Sequence, residues 1–146
     1  MIAVQPHTEI TRGDQLRHIS VDQSKCFGCK ICEIVCSFTK EKEINPKMAR
    51  IKIEPKLEKV FYHVCHKCDT PVCVDSCPIH AIEIIDGQFT LTKQCSENCS
   101  LCIDACPHKA IVYTKGAVDV CNVCGECIKF CPVQAIQIVE PGGTHA

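Results

Sequence analysis

Sixteen of the 146 residues are cysteine, and they fall into four groups of four with none left over. The first group is Cys26, Cys29, Cys32 and Cys36, and the second is Cys65, Cys68, Cys73 and Cys77. The third is Cys95, Cys99, Cys102 and Cys106, and the fourth is Cys121, Cys124, Cys127 and Cys131. A [4Fe–4S] cube presents four iron corners, each of which takes one thiolate. A C-x-x-C-x-x-C loop lets one short stretch of backbone wrap three corners, and the fourth corner then faces away and needs a ligand from elsewhere. Sixteen thiolates balance four cubes.

The cysteine four residues beyond each triplet has moved along a helical turn, toward a neighbouring cube. In two-cluster ferredoxins the last cysteine of C-x₂-C-x₂-C-x₃-C-P does ligate the other cluster. The first and fourth groups have this spacing. The second is C-x₂-C-x₄-C-x₃-CP, with Asp69–Val72 looped out, and the third is C-x₃-C-x₂-C-x₃-CP, one residue longer between Cys95 and Cys99. Such insertions bulge a loop without removing a ligand, and they shift a potential through N–H···S bonds. Zinc is the rival metal, but structural zinc sites use C-x₂₋₄-C pairs across a longer spacer and often a histidine. Three close cysteines crowd one zinc ion, and the histidines here show no H-x₃₋₅-H spacing.

The rest of the composition agrees. Hydrophobic residues make up 46 % of the chain, but that figure includes the cysteines, and aromatics are only 5 % with no tryptophan. Without cysteine the apolar share falls to about 35 %, which is thin for so short a chain. Net charge is −1, which excludes a nucleic-acid or anionic-membrane partner held by bulk charge. The opening MIAVQPHTEITRGDQLRHIS has no apolar core of a leader and no twin arginine, and no run approaches a membrane span. A reducing cytoplasmic setting is therefore expected, and there such cysteines are metal thiolates instead of disulfides.

The elements that must position these ligands are short. Three groups continue into one phrase, CPIHAI, CPHKAI and CPVQAI, an internal repeat. Ala81–Ile85 and Gln88–Thr92 flank Asp86–Gly87, and Ile111–Thr114 and Ala117–Val120 flank Lys115–Gly116, so two hairpins are expected. Arg50–Glu54 and Lys59–Val64 read as paired strands around a turn at Pro55–Lys56. Each third-to-fourth cysteine step suits a short helix, with Cys32 and Cys36 at i, i+4 on one face. The insert Glu41–Arg50 reads as a solvated loop.

The order of the four motifs, the form of the second group and the CPxxAI phrases resemble the four-cluster iron–sulfur subunits of molybdenum and tungsten oxidoreductases. That family includes the small subunits of dimethyl sulfoxide reductase, formate dehydrogenase and related hydrogenase and carbon-monoxide dehydrogenase systems. The likeness covers roughly Ile19–Val139. Within it CFGCKICEIVCSF and INPKMARIKI, in Cys26–Arg50, look like the short versions that accompany tungsten-containing aldehyde oxidoreductases. The resemblance implies an α+β fold of two bacterial-ferredoxin-like dicluster modules, one nested in the other. Residues 1–18 would be an N-terminal extension, 19–64 with 107–146 the outer module, and 65–106 the inner one. Carried over by residue, cluster one would use Cys26, Cys29, Cys32 and Cys131, and cluster two Cys65, Cys68, Cys73 and Cys106. Cluster three would use Cys95, Cys99, Cys102 and Cys77, and cluster four Cys121, Cys124, Cys127 and Cys36.

With every iron corner taken by cysteine, no open site is left for substrate chemistry, so the expected role is electron transfer without catalysis. The implied partner is a large catalytic subunit carrying tungsten or molybdenum, with a flavin subunit or a ferredoxin as a further redox partner. An aldehyde oxidoreductase is the first choice, and formate dehydrogenase, hydrogenase or carbon-monoxide dehydrogenase the alternative. A free polyferredoxin is a rival, although such carriers use a strongly acidic surface for steering. A zinc-stabilised binding module is a second rival. His66, His108, Lys30, Lys67 and Lys109 stand within or beside the motifs and read as surface groups that nudge nearby potentials.

Overall fold

The computed structural model describes residues 17–68, 71–86, 88–95 and 99–139. Most of the expected N-terminal extension therefore lies outside the described residues. So do Asp69 and Thr70 of the second-group insertion, the turn glycine Gly87, and residues 96–98 of the longer third loop.

The architecture is α+β, built from short helices and antiparallel strand pairs. In chain order the elements are β1 (His18–Val21), α1 (Ile31–Glu41), a 3₁₀ turn (Pro46–Met48), β2 (Lys52–Lys56), β3 (Lys59–His63) and α2 (Val72–Asp75). Then come β4 (Ile82–Ile85), β5 (Gln88–Leu91), α3 (Leu101–Ala105), β6 (Val112–Thr114), β7 (Ala117–Asp119), α4 (Glu126–Phe130) and β8 (Ile136–Val139). The strands pair as β2–β3, β4–β5, β6–β7 and β1–β8.

Both glycine-containing hairpins form as their dipeptides predict. In the second, Lys115 (φ 48) and Gly116 (φ 84) supply the two positive φ angles of a tight hairpin turn. The β2–β3 turn differs from expectation. It falls at Leu57–Glu58, and Pro55 lies inside β2 opposite Val60. In a ladder closed by Lys56 and Lys59, the next pair is the non-hydrogen-bonded one, so a proline there sacrifices no N–H. The β1–β8 ladder was not foreseen. It matches Ile19 to Ile138 and Val21 to Ile136 across nearly the whole chain, and four-residue segments carry little local signal.

Helix length follows the residue after the fourth cysteine. Pro78, Pro107 and Pro132 follow Cys77, Cys106 and Cys131, and the residue before a proline is driven out of helical geometry. Cys106 (φ −69, ψ 116) and Cys131 (φ −70, ψ 115) are accordingly extended caps just past α3 and α4. Cys36 is followed by Ser37 instead, so α1 runs on to Glu41. Of the insert only Glu41 is α-helical, and Lys42, Glu43, Ile44, Pro46 and Lys47 are exposed as a solvated loop requires. Its end is buried instead, since Arg50 is only 5 % exposed. Ser37, fully buried, fastens the insert back on the helix by accepting the Asn45 N–H at 3.2 Å.

Two hydrophobic cores result. One gathers Ile19, Val21, Ala49, Ile51, Ile53, Val64, Ala135 and Ile136 around Cys32, Cys36 and Cys127. The other gathers Val74, Ile82, Ile111, Val118 and Val120 around Cys102. Helix α1 packs on α4 and α2 on α3, so the first group meets the fourth and the second meets the third.

Candidate metal centres

All sixteen thiols are free, and the fold gathers them in mixed sets. One cavity is lined by Cys26, Cys29, Cys32 and Cys131. A second is lined by Cys65, Cys68, Cys73 and Cys106, and a third by Cys77, Cys95, Cys99 and Cys102. Each combines three cysteines of one group with the last cysteine of another. The remaining four, Cys36, Cys121, Cys124 and Cys127, lie within electrostatic reach of one another.

The loops are shaped for anionic sulfur. Residues in the left-handed region punctuate them: Gly28 and Lys30 around Cys29, Lys67 before Cys68, and Val123 and Gly125 around Cys124. Successive residues of this kind turn backbone N–H groups inward as an anion nest. Val123, a β-branched residue at φ 61, holds a strained conformation, and its N–H points at Cys121 Sγ at 3.4 Å.

The CPxxA phrase is a second such device, which the repeat signalled without revealing its purpose. Ala81, Ala110 and Ala135 donate their N–H groups to Cys77, Cys106 and Cys131 Sγ at 3.3, 3.5 and 3.3 Å. The residue before each alanine, His80, Lys109 or Gln134, has φ between 49 and 51, which swings the amide back over the sulfur. The alanines are at most 2 % exposed, so a larger side chain has no room. The first group lacks the phrase, and there Arg50 N–H meets Cys36 Sγ at 3.2 Å.

Burial governs the thiols. It pushes Cys32 and Cys127 up to about 12 and Cys73 and Cys121 up to about 11, and it raises Cys36, Cys65 and Cys102 as well. Neighbouring thiols add to the effect at Cys127, where Cys121, Cys32, Cys36 and Cys124 all press the same way. Converging buried thiols that cannot ionise side by side suit a cationic centre that displaces their protons. Sulfur-only donor sets with N–H groups aimed at sulfur fit iron–sulfur clusters.

Arg50 was missed as a site residue, because nothing in its local sequence marks it. Its guanidinium reaches Asp119 Oδ2 through Nε (3.0 Å) and a terminal nitrogen (2.8 Å), Glu41 Oε1 (2.6 Å) and Met48 O (2.8 Å). Lys115 Nζ closes on the other Glu41 oxygen at 3.0 Å. This network ties the end of α1 to the β6–β7 hairpin. Beside the second-group ligands, the rings of His66 and His108 stack 3.9 Å apart, with His18 and Tyr62 flanking His66 at 5.6 and 6.0 Å. Lys30 and Lys109 are exposed as expected, whereas His66, Lys67 and His108 are half-buried.

Fold and donor sets define an iron–sulfur electron-transfer protein, and comparison with known proteins agrees. The model of a 4Fe-4S binding domain matches residues 23–39, 62–87 and 118–134. The polyferredoxin-like subunit of aliphatic sulfonate oxidoreductase from Pyrococcus furiosus is 31 % identical over 121 residues, covering 77 % of this chain and 70 % of that one. The chain belongs to this family of polyferredoxin-like oxidoreductase subunits. Formate hydrogenlyase subunit 2 of Escherichia coli (strain K12) is 32 % identical over 85 residues, 58 % of this chain and 42 % of the relative. UacF of the same organism is 27 % identical over 139 residues. The chain covers 87 % of its own length in that match but only 22 % of the relative's. Among the described residues no helix is long and apolar enough to cross a membrane.

Proposed function

We propose that the chain holds four [4Fe–4S] clusters and conducts electrons to or from a catalytic subunit without itself acting on substrate. The observation that carries this reading is the mixed lining of the cavities: Cys131, Cys106 and Cys77 each join a triplet from another group. In the resulting ligand sets, cluster one has Cys26, Cys29, Cys32 and Cys131, and cluster two has Cys65, Cys68, Cys73 and Cys106. Cluster three has Cys95, Cys99, Cys102 and Cys77, and cluster four has Cys121, Cys124, Cys127 and Cys36. The two cores support an inner module around 65–106 set within an outer one of 19–64 and 107–146. The β6–β7 hairpin belongs by packing to the inner core although it follows residue 106.

The clusters supply one-electron chemistry; what the residues do is hold them close and tune them. Helices α1 and α4, and likewise α2 and α3, each place a ligand in one set and carry the chain toward a ligand of the paired set, which keeps neighbouring sites near each other. The N–H groups of Ala81, Ala110, Ala135 and Arg50 stabilise the more negative, reduced state at sulfur. Cys29 and Cys124 are exposed, which gives the first and fourth sites an edge for a redox partner.

The partner we favour is a tungsten- or molybdenum-containing oxidoreductase of the aldehyde-oxidising kind. The match over 70 % of a subunit of an aliphatic sulfonate oxidoreductase supports a partner that acts on small organic substrates. A formate-linked partner is the second reading, supported by the likeness to formate hydrogenlyase subunit 2. Anaerobic purification followed by iron, sulfide, tungsten and molybdenum analysis tests both parts. About four irons and four sulfides per cluster and a co-eluting large subunit with tungsten or molybdenum are expected. Zinc without sulfide would overturn the cofactor, and a chain that elutes alone and fully loaded would favour the diffusing carrier.

A further inference from the structure

Helix α1 is apolar on the outside. Its exposed residues are Ile31, Ile34 and Phe38, which at i, i+3 and i+7 share one face. Its polar Glu33 and Ser37 are turned inward, where Glu33 accepts the Ile53 N–H at 2.6 Å. A helix packed only for its own chain shows the reverse pattern. The stripe continues into the preceding loop. Phe27 is 62 % exposed, and it lines the first cavity together with Ile31 and the exposed Cys29.

Positive charge rims this stripe. Lys25 and Lys30 precede it and Lys42 follows it, all three exposed. Of the acids in the same stretch, Glu33 is buried and Glu41 is held by Arg50 and Lys115, which leaves Glu43 as the one exposed carboxylate. The whole chain carries −1, so the positive edge is a local feature. A second copy of the chain would set lysines against lysines, so the charge calls for an acidic partner. A few apolar side chains over about 10 Å of helix suit a brief redox encounter, because permanent subunit interfaces are larger and poorer in charge.

We propose that the outer face of α1, with Phe27, docks a soluble one-electron carrier protein of acidic surface, which exchanges electrons at the Cys29 edge. The proposal rests on the four-cluster reading above. In each encounter one electron leaves the first site, which is oxidised by one, and the carrier is reduced by one, or the reverse; no bond forms or breaks and no proton moves. The lysines steer the approach, and the apolar stripe holds the contact while the electron crosses.

The test uses the full chain, purified anaerobically with any subunit that co-elutes, and a purified acidic two-cluster ferredoxin as the probe. Iron and sulfide per chain are measured first, and probe binding follows by calorimetry at low and high salt. Two double variants are compared with wild type, Ile34→Gln with Phe38→Gln, and Lys25→Gln with Lys42→Asn. Glutamine is a good helix former, and asparagine suits the left-handed backbone of Lys42 (φ 58). The glutamine pair is expected to bind about tenfold more weakly at either salt. The lysine pair is expected to bind about fivefold more weakly at low salt and like wild type at high salt. Iron content and the co-eluting subunit are expected to be retained in both. Wild type that does not bind the probe overturns the proposal, and so do variants that bind it as wild type does. Loss of the co-eluting subunit from either variant makes the face a permanent interface and overturns it. Wild-type binding to phosphatidylglycerol vesicles that the lysine pair abolishes makes it a membrane face, and also overturns it. Should the glutamine pair lose iron, the lysine pair decides by its salt dependence. A wild-type content below four clusters defeats the underlying reading, and is seen before any variant is compared.

Discussion

The backbone N–H of Arg50 lies 3.2 Å from the sulfur of Cys36, fourteen residues earlier in the chain. In the other three groups the equivalent donor is the alanine four residues after the last cysteine. The first group has no proline to stop its helix, so α1 overshoots and the chain must return through the 3₁₀ turn to restore the donor. The guanidinium of the same residue then bolts that return to Asp119 and Glu41.

Replacing Arg50 by Met keeps the backbone donor and removes the bolt. Stripping one partner from a buried ion pair costs about 3–5 kcal/mol. Here Asp119 is 42 % exposed and Lys115 still holds Glu41, so a loss of about 2 kcal/mol is expected. Denaturant midpoints taken anaerobically check it, with iron content per chain unchanged.

Pairs of cysteine substitutions report which ligands share a cluster. Cys26→Ser and Cys131→Ser line one cavity, so the double variant is expected to lose one cluster, as either single does. Cys121→Ser with Cys131→Ser is expected to lose two. Iron analysis and the paramagnetic signals of the reduced protein count them, and additive loss in the first pair would contradict the exchanged pairing.

Gly28 and Gly125 have φ of 80 and 78, so an alanine at either is strained by about 1 kcal/mol. At Gly28 an added Cβ also meets Pro55 Cβ at 3.3 Å, whereas at Gly125 the nearest atom, of Ile138, is 3.8 Å away. Gly28→Ala is therefore expected to destabilise the chain more than Gly125→Ala. Unfolding midpoints decide the order, and the reverse order would show that Pro55 yields freely.

Removing iron exposes the thiol energetics. Buried Cys32 and Cys127, raised to about 12, contribute to the metal-free fold below the ordinary thiol value of about 9. That contribution is lost as pH rises from there through the raised values. Cluster uptake must expel those protons, so reconstitution at limiting iron is expected to improve between about pH 7 and 9 and to acidify an unbuffered solution. Measured proton release per iron checks the sign.

The count and spacing of cysteine determined the metal, because an iron–sulfur cube demands ligands at fixed local intervals. The Lys115–Gly116 dipeptide likewise placed its hairpin, since a tight turn with two positive φ angles is a local requirement. Both are properties of a few adjacent residues. The Pro55 turn was misplaced because a proline that loses no ladder bond looks, in one dimension, like a proline that makes a turn. Tertiary structure alone decided the β1–β8 closure and the seat of Arg50 beside Cys36. Both join segments far apart in the chain through interior hydrogen bonds, and the strength of those bonds depends on exclusion of water, which no short stretch of sequence records.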